Sequence, residues 1–168
     1  MKVIIAENSG VCFGVKRALN LLEESAQKGE NEKTTVVMLG PLIHNPRVVK
    51  EYSSKGVEVC TISTVPQNSI VVIRSHGITS FDEESLHNID NLEVVDTTCP
   101  YVLRIHRLVE KMSSSGYVLI VLGDKDHSEV QGITSRIKGE FLVIHPNEIL
   151  TEWDEIEKFI EKNKLVFA

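Results

Sequence analysis

Short apolar runs of strand-like composition recur along the chain, and most are followed by a stretch of helical period. KVIIA precedes a helical pattern from about Val15, TTVVMLG one from about Pro46, SIVVIRS a short one from about Ser80, LEVVD one from about Tyr101, YVLIVLG one near Ser128 and FLVIH one around Trp153, with VEVC and the final KLVFA as further runs. A helix between two strands returns the chain so that the strands pair in parallel. The alternation therefore predicts an α/β protein with helices layered on mostly parallel sheets. In the first helix the expected core stripe is Val15, Leu19, Leu22 and Ala26, with Lys16, Arg17, Glu23 and Glu24 falling elsewhere.

The chain also repeats itself. With Cys12 placed over Cys99, an offset of 87 residues, the following helices match at Val15 with Val102, Arg17 with Arg104, Leu21 with Leu108 and Glu23 with Glu110. Further on, LG followed four residues after the glycine by histidine occurs as LGPLIHN, ending at Asn45, and as LGDKDHSE, ending at Glu129. The two halves read as copies of one unit in which strand, cysteine, helix, strand and histidine recur in that order. They divide near residue 95: residues 1–95 carry Cys12, His44 and His76, and residues 96–168 carry Cys99, His127 and Glu129.

A length of 168 residues fits one domain or two small ones, and 42% hydrophobic with 25% charged residues is a soluble composition able to build a core. No apolar run is long enough to span a bilayer, and MKVIIAENSG lacks the pattern of a secretory leader, so a cytoplasmic protein is expected. A net charge of −6 without a Lys/Arg cluster argues against nucleic acid or an anionic membrane as partner. A small anion remains open, because helix N-termini and a few histidines can hold one. In a reducing compartment the three cysteines are not expected to form disulfides, and the absence of a CxxC pair weakens zinc-ribbon and thioredoxin-type readings.

Ligands of open parallel sheets bind beyond the carboxyl ends of the strands, and here those ends carry Cys12, His44, His76, Cys99 and His127. Cys12 and Cys99 each open a helix, where the dipole favours an anionic sulfur and metal ligation. Taken singly, each could equally fill a buried turn; their recurrence at equivalent positions favours function. Gly10 and Gly14 flank Cys12 and permit backbone conformations that bring the main chain close to a bound group. Loop histidines at strand ends can donate to an oxyanion or act as acid or base. Glu129 is either a helix N-terminal charge or a proton source directed at the same place. Cys60 is expected to be buried structure; His87, His106 and His145 are expected to be solvated or locally hydrogen-bonded, with His106 on a structural face where the first copy has Leu19.

GVCFGV with Cys12, IHN with His44, SHG with His76, DTTCP with Cys99 and HSE with His127 and Glu129, in this order and spacing, closely resemble the LytB-type 4-hydroxy-3-methylbut-2-enyl diphosphate reductases. The resemblance runs across essentially the whole chain. It implies reductive removal of a hydroxyl from an allylic diphosphate, giving isopentenyl and dimethylallyl diphosphates, the last step of non-mevalonate isoprenoid synthesis. It implies three similar α/β lobes, each giving one cysteine to a 4Fe-4S cluster, with ferredoxin or flavodoxin-type electron donors. By that likeness Cys12 and Cys99 are cluster ligands, His44 and His76 bind diphosphate, His127 contacts substrate, and Glu129 belongs to the proton path. Members of the family are longer. The likeness therefore also implies that this chain carries two of three pseudo-symmetric lobes, the second incomplete, with a threonine-containing substrate loop and the third cysteine expected past KLVFA. Two other readings stand beside it: a non-catalytic α/β fragment or anion-binding module, and a zinc hydrolase using Cys and His ligands with Glu129 as base.

Overall fold

The computed structural model describes residues 2–4, 6–7, 9–151 and 153–163. The chain folds into two compact units: residues 1–75 with 89–100, and residues 76–88 with 101–168.

In the first unit a long helix, α1 (Phe13–Glu32), is followed by strand β1 (Thr35–Leu39), helix α2 (Pro46–Ser53), strand β2 (Glu58–Cys60), a short 3-10 turn (Ile62–Thr64), strand β3 (Ser69–Ile73) and, after an excursion, strand β4 (Glu93–Asp96). The strands form one sheet in the order β2-β1-β3-β4, and every pair is parallel, with Leu39 opposite both Cys60 and Ile73, and Ile73 opposite Asp96. The sequence pattern explains the arrangement. β3 is buried along its whole length, and a strand buried on both faces needs a continuous apolar run such as SIVVI. Beneath the sheet, Ala18 and Leu22 of α1 and Tyr52 of α2 pack with Val36, Met38, Leu42, Val57, Ile70 and Val72. Fully burying a side chain such as Leu22 or Met38 contributes about 1.5–3 kcal/mol, so these few contacts hold the layer together.

The buried face of α1 runs through Gly14, Ala18, Leu22, Ser25 and Gly29, one step around the helix from the expected stripe, of which only Leu22 is fully buried. Small residues let the helix lie close on its neighbours. A Cβ on Gly29 would run into the Val36 side chain and the Thr34 carbonyl.

The second unit begins with residues 76–79 and helix α3 (Ser80–His87), then takes up helix α4 (Pro100–Ser114), strand β5 (Leu119–Leu122), helix α5 (Ser128–Thr134), strand β6 (Phe141–Ile144) and helix α6 (Trp153–Lys162). β5 and β6 pair in parallel, Leu119 with Phe141 through Leu122 with Ile144. His106 and Ser113 form the buried face of α4, so His106 is structural as expected, whereas Leu108, matched in the repeat with half-buried Leu21, is exposed.

The repeat is visible as local structure. The series helix, strand, helix, strand appears as α1-β1-α2-β2 and again as α4-β5-α5-β6, with parallel pairing in both. Each copy closes with the same bond: the Gly40 amide donates to the Cys60 carbonyl at 3.0 Å, and the Gly123 amide donates to the Ile144 carbonyl at 2.9 Å. Cys60 thus occupies the position filled by isoleucine in the other copy.

Two expectations differ from the fold. KVIIA forms no strand over its described residues, and Val3 and Ile4 are 72% and 79% exposed: β-propensity becomes a strand only where a sheet edge takes up its hydrogen bonds. Among the described residues no strand precedes Cys12, which opens a helix. The compact units also divide the chain differently from the boundary drawn near residue 95, since β4 and Cys99 belong with the first sheet and residues 76–88 with the second unit. KLVFA lies outside the described residues.

Candidate functional site

Cys12 is the N-cap residue of α1, in extended conformation (φ −66°, ψ 167°), exposed, and without a side-chain capping bond. Gly10, two residues earlier, has φ +124°, a region that L side chains rarely adopt, so the turn into the helix requires glycine there. Gly14 behaves differently from expectation. It is helical, and its role is space: a Cβ on Gly14 would stand 2.7 Å from the sulfur of Cys99. The Cys99 thiol therefore rests against the first turn of α1, two residues along the chain from Cys12.

Cys99 is placed by a fully bonded loop. Its amide donates to the Ser75 carbonyl at 2.8 Å, and the Thr97 amide and hydroxyl both donate to the Ile73 carbonyl. The Asp96 carboxylate accepts from the Thr98 amide at 2.8 Å and from its hydroxyl. Arg17 of α1 reaches across to donate to the Thr98 and Asp96 carbonyls, each at 3.3 Å. Thr97 is fully buried and Thr98 nearly so. The sequence reading matched Arg17 with Arg104 but gave it no role; the signal was a long cation on the helix turn that follows the cysteine.

Cys60, at the end of β2, is half-buried, and burial pushes its thiol up from the ordinary range. This agrees with a structural position.

His44 follows β1 and is exposed at a cleft of about 500 Å³ that Pro41, Ile43, Pro46 and Val49 also line. Its neighbour Asn45 caps α2, accepting from the Arg47 amide at 3.0 Å, with Pro46 at the first helical position. Gly40, at the end of β1, has φ +73°, and a Cβ there would meet the Arg74 guanidinium at 3.0 Å.

In the second unit, His76 is buried (6% exposed) and its ring lies 6.3 Å, centroid to centroid, from that of His127, at an angle of 47°. His127 is the N-cap of α5, and its Nδ1 accepts from the Glu129 amide at 3.2 Å. Accepting at Nδ1 places the proton of the neutral ring on Nε2, where it can serve as a donor. Glu129 is half-buried in the first turn of α5, and its main-chain amide is the donor of that bond. Of the remaining histidines, His87 bonds the Glu83 carbonyl at 2.7 Å and His145 accepts from the Asn147 amide at 3.3 Å, both local structure.

The expected residues thus fall into two sets: Cys12, Cys99 and His44 in the first unit, His76, His127 and Glu129 in the second. Among the described residues, no group of three or more His, Cys, Asp or Glu side chains converges to hold a metal ion. Cys12 caps α1, and the Cys99 sulfur lies against Gly14 in the first turn of the same helix. No helix among the described residues is long and apolar enough to cross a membrane.

These features define a parallel α/β protein with cysteines at helix starts and imidazoles placed after strand ends. The family model described as LytB protein matches residues 3–168, and the chain belongs to the LytB family. Its relatives include the 4-hydroxy-3-methylbut-2-enyl diphosphate reductases of Geotalea uraniireducens, 43% identical over 86% of this chain and 49% of that one, and of Clostridioides difficile, 36% identical over 95% and 57%. A solved structure of (E)-4-hydroxy-3-methyl-but-2-enyl diphosphate reductase, the terminal enzyme of the non-mevalonate pathway, is 38% identical with a TM-score of 0.74, covering 88% of this chain and 52% of the other. The corresponding reductase from Plasmodium falciparum gives a TM-score of 0.78 at 26% identity, over 96% and 46%. The chain spans about half the length of the curated relatives it matches.

Proposed function

We propose that this chain forms the cysteine- and histidine-bearing part of a 4-hydroxy-3-methylbut-2-enyl diphosphate reductase. The observation that carries the reading furthest is the approach of the Cys99 sulfur to Gly14, which brings a second thiol to the helix start that Cys12 caps. The reaction breaks the allylic C–O bond. Two electrons and two protons enter; one proton leaves with the hydroxyl as water, the other ends on carbon, and isopentenyl or dimethylallyl diphosphate is formed. Cys12 and Cys99 would hold a 4Fe-4S cluster, which when bound supplies the electrons and a Lewis-acidic iron.

The remaining residues bind and transfer protons. His44 and His76 hold the diphosphate, and His127, with its proton directed to Nε2, donates to substrate oxygen. Glu129, two residues past His127 and bonded to it through its main-chain amide, delivers a proton. A ferredoxin or flavodoxin-type protein supplies electrons, in the cytoplasm, and a third lobe of the same design completes the coordination set. The rival reading, an anion-binding α/β module without turnover, is favoured by the same two-membered sulfur set.

Anaerobic reconstitution of the chain with iron and sulfide tests the proposal, with Cys12→Ser, Cys99→Ser and Cys60→Ser run beside it. Iron retained by the parent and Cys60→Ser but lost from the other two supports the reductase. A colourless parent favours the anion-binding module, and equal iron in all four chains overturns the ligand assignment.

A further inference from the structure

His76 reaches the second unit on residues 76–80, a stretch with no strand pairing of its own. It is attached to the end of α5, the helix that His127 caps. Arg136, just past that helix, donates from Nη1 to the Ile78 carbonyl and to the Gly132 carbonyl, each at 2.8 Å. Its Nη2 pairs with Glu83 of α3 at 2.8 Å, and the side chain is only 14% exposed. The neighbouring residue adds two bonds: the Ser80 amide donates to Ser135 Oγ at 3.0 Å and the Ser80 hydroxyl donates to the Ser135 carbonyl at 2.8 Å. Gly132 completes the seat, since a Cβ there would stand 3.4 Å from the Ile78 carbonyl and 3.5 Å from His106.

One guanidinium therefore links the carbonyl two residues beyond His76 to the helix that His127 caps. The exposed pairing with Glu83 alone would be worth little. The bonds to two main-chain carbonyls from one rigid, planar group fix the loop in position as well as in attachment, and a lysine, a point charge on a flexible stem, would not.

We propose that Arg136 is a positioning residue that sets the spacing of the His76 and His127 rings so that both can act on one anionic group. The proposal rests on the reading that His76 holds the diphosphate and His127 donates to an oxygen of the same substrate, which the proposal takes to be a diphosphate oxygen. It assigns the spacing to a clamp outside the strands.

The test uses the full chain, NMR signals of the imidazole rings, and inorganic pyrophosphate as probe. The parent is expected to show a nuclear Overhauser contact between the His76 and His127 rings, with both rings shifting as pyrophosphate is added. In Arg136→Gln the ring contact is expected to vanish and pyrophosphate binding to weaken about tenfold, while Glu83→Gln, which removes only the exposed bond, retains both. Arg136→Gln with unchanged ring contact and affinity would overturn the positioning role. Should that variant fail to fold, Arg136→Lys decides: weakened contact and affinity in a chain that melts like the parent support the role, and parental values refute it. A parent whose rings ignore pyrophosphate, while the ring contact still depends on Arg136, would refute the diphosphate reading and leave the clamp standing.

Discussion

At the scale of single residues, the three cysteines separate by their surroundings. Cys12 is exposed at a helix start, Cys99 is half-buried against Gly14, and Cys60 ends a strand where burial disfavours its thiolate. Because the thiolate is the reacting species, Cys60 is expected to be the slower to alkylate at neutral pH when compared with Cys12. Peptide mapping after timed iodoacetamide treatment measures this; equal rates would contradict the burial. Gly14→Ala is expected to cost about 1–3 kcal/mol, because the new methyl and the Cys99 sulfur cannot share the space. Urea unfolding reads that loss, and an unchanged midpoint would show that Cys99 moves aside freely. The need for a glycine near Cys12 was legible in the sequence, but for Gly14 the reason was not. A glycine with positive φ, such as Gly10, is a local matter, whereas the space Gly14 leaves is for an atom far along the chain.

Among the elements, α1 and α2 are joined by a small polar network. The Tyr52 hydroxyl donates to Glu23 at 2.9 Å, Lys55 donates to the same oxygen at 2.8 Å, and the Lys55 ammonium lies 4.6 Å from the centre of the Tyr52 ring. Burial, and then the bond to the Glu23 carboxylate, push Tyr52 up to about 12 from its ordinary value of 10.0. The folded chain holds the phenolic proton more tightly than the unfolded chain. This contribution, on the order of 2 kcal/mol, is complete below pH 10 and is lost as pH rises toward 12. Tyr52→Phe should remove that part of the alkaline decline in stability, and a decline equal to the parent's across this interval would refute the linkage. The elements themselves were readable: the alternation of runs and helical patterns predicted β1 to β6 and α1 to α6. The buried face of α1 was misplaced by one residue because periodicity counts large apolar side chains, whereas this helix packs through Gly14, Ala18, Ser25 and Gly29. KVIIA misled for the opposite reason, since its composition suits a strand and composition does not specify a partner.

For the molecule as a whole, the repeat was legible because its marks are residue types at fixed spacing: glycine at the strand end, then histidine, and cysteine at the helix start. The division into units was not. β4 belongs with the first sheet through parallel pairing with β3, and residues 76–88 belong with the second unit through Arg136 and Ser135, bonds between positions that no sequence pattern connects. Cys12 and Cys99 belong to one unit and the His76–His127 pair to the other; Arg17 donates to the Thr98 and Asp96 carbonyls just before Cys99, and Arg136 to the Ile78 carbonyl two residues past His76. The proposed cluster site requires the Cys12 and Cys99 sulfurs to converge at the start of α1. A short bifunctional thiol reagent applied to the metal-free chain, followed by peptide mass mapping, tests that convergence most directly. A Cys12–Cys99 bridge is expected in preference to any bridge involving Cys60; modification of Cys12 and Cys99 singly, with no bridge between them, would contradict the shared site.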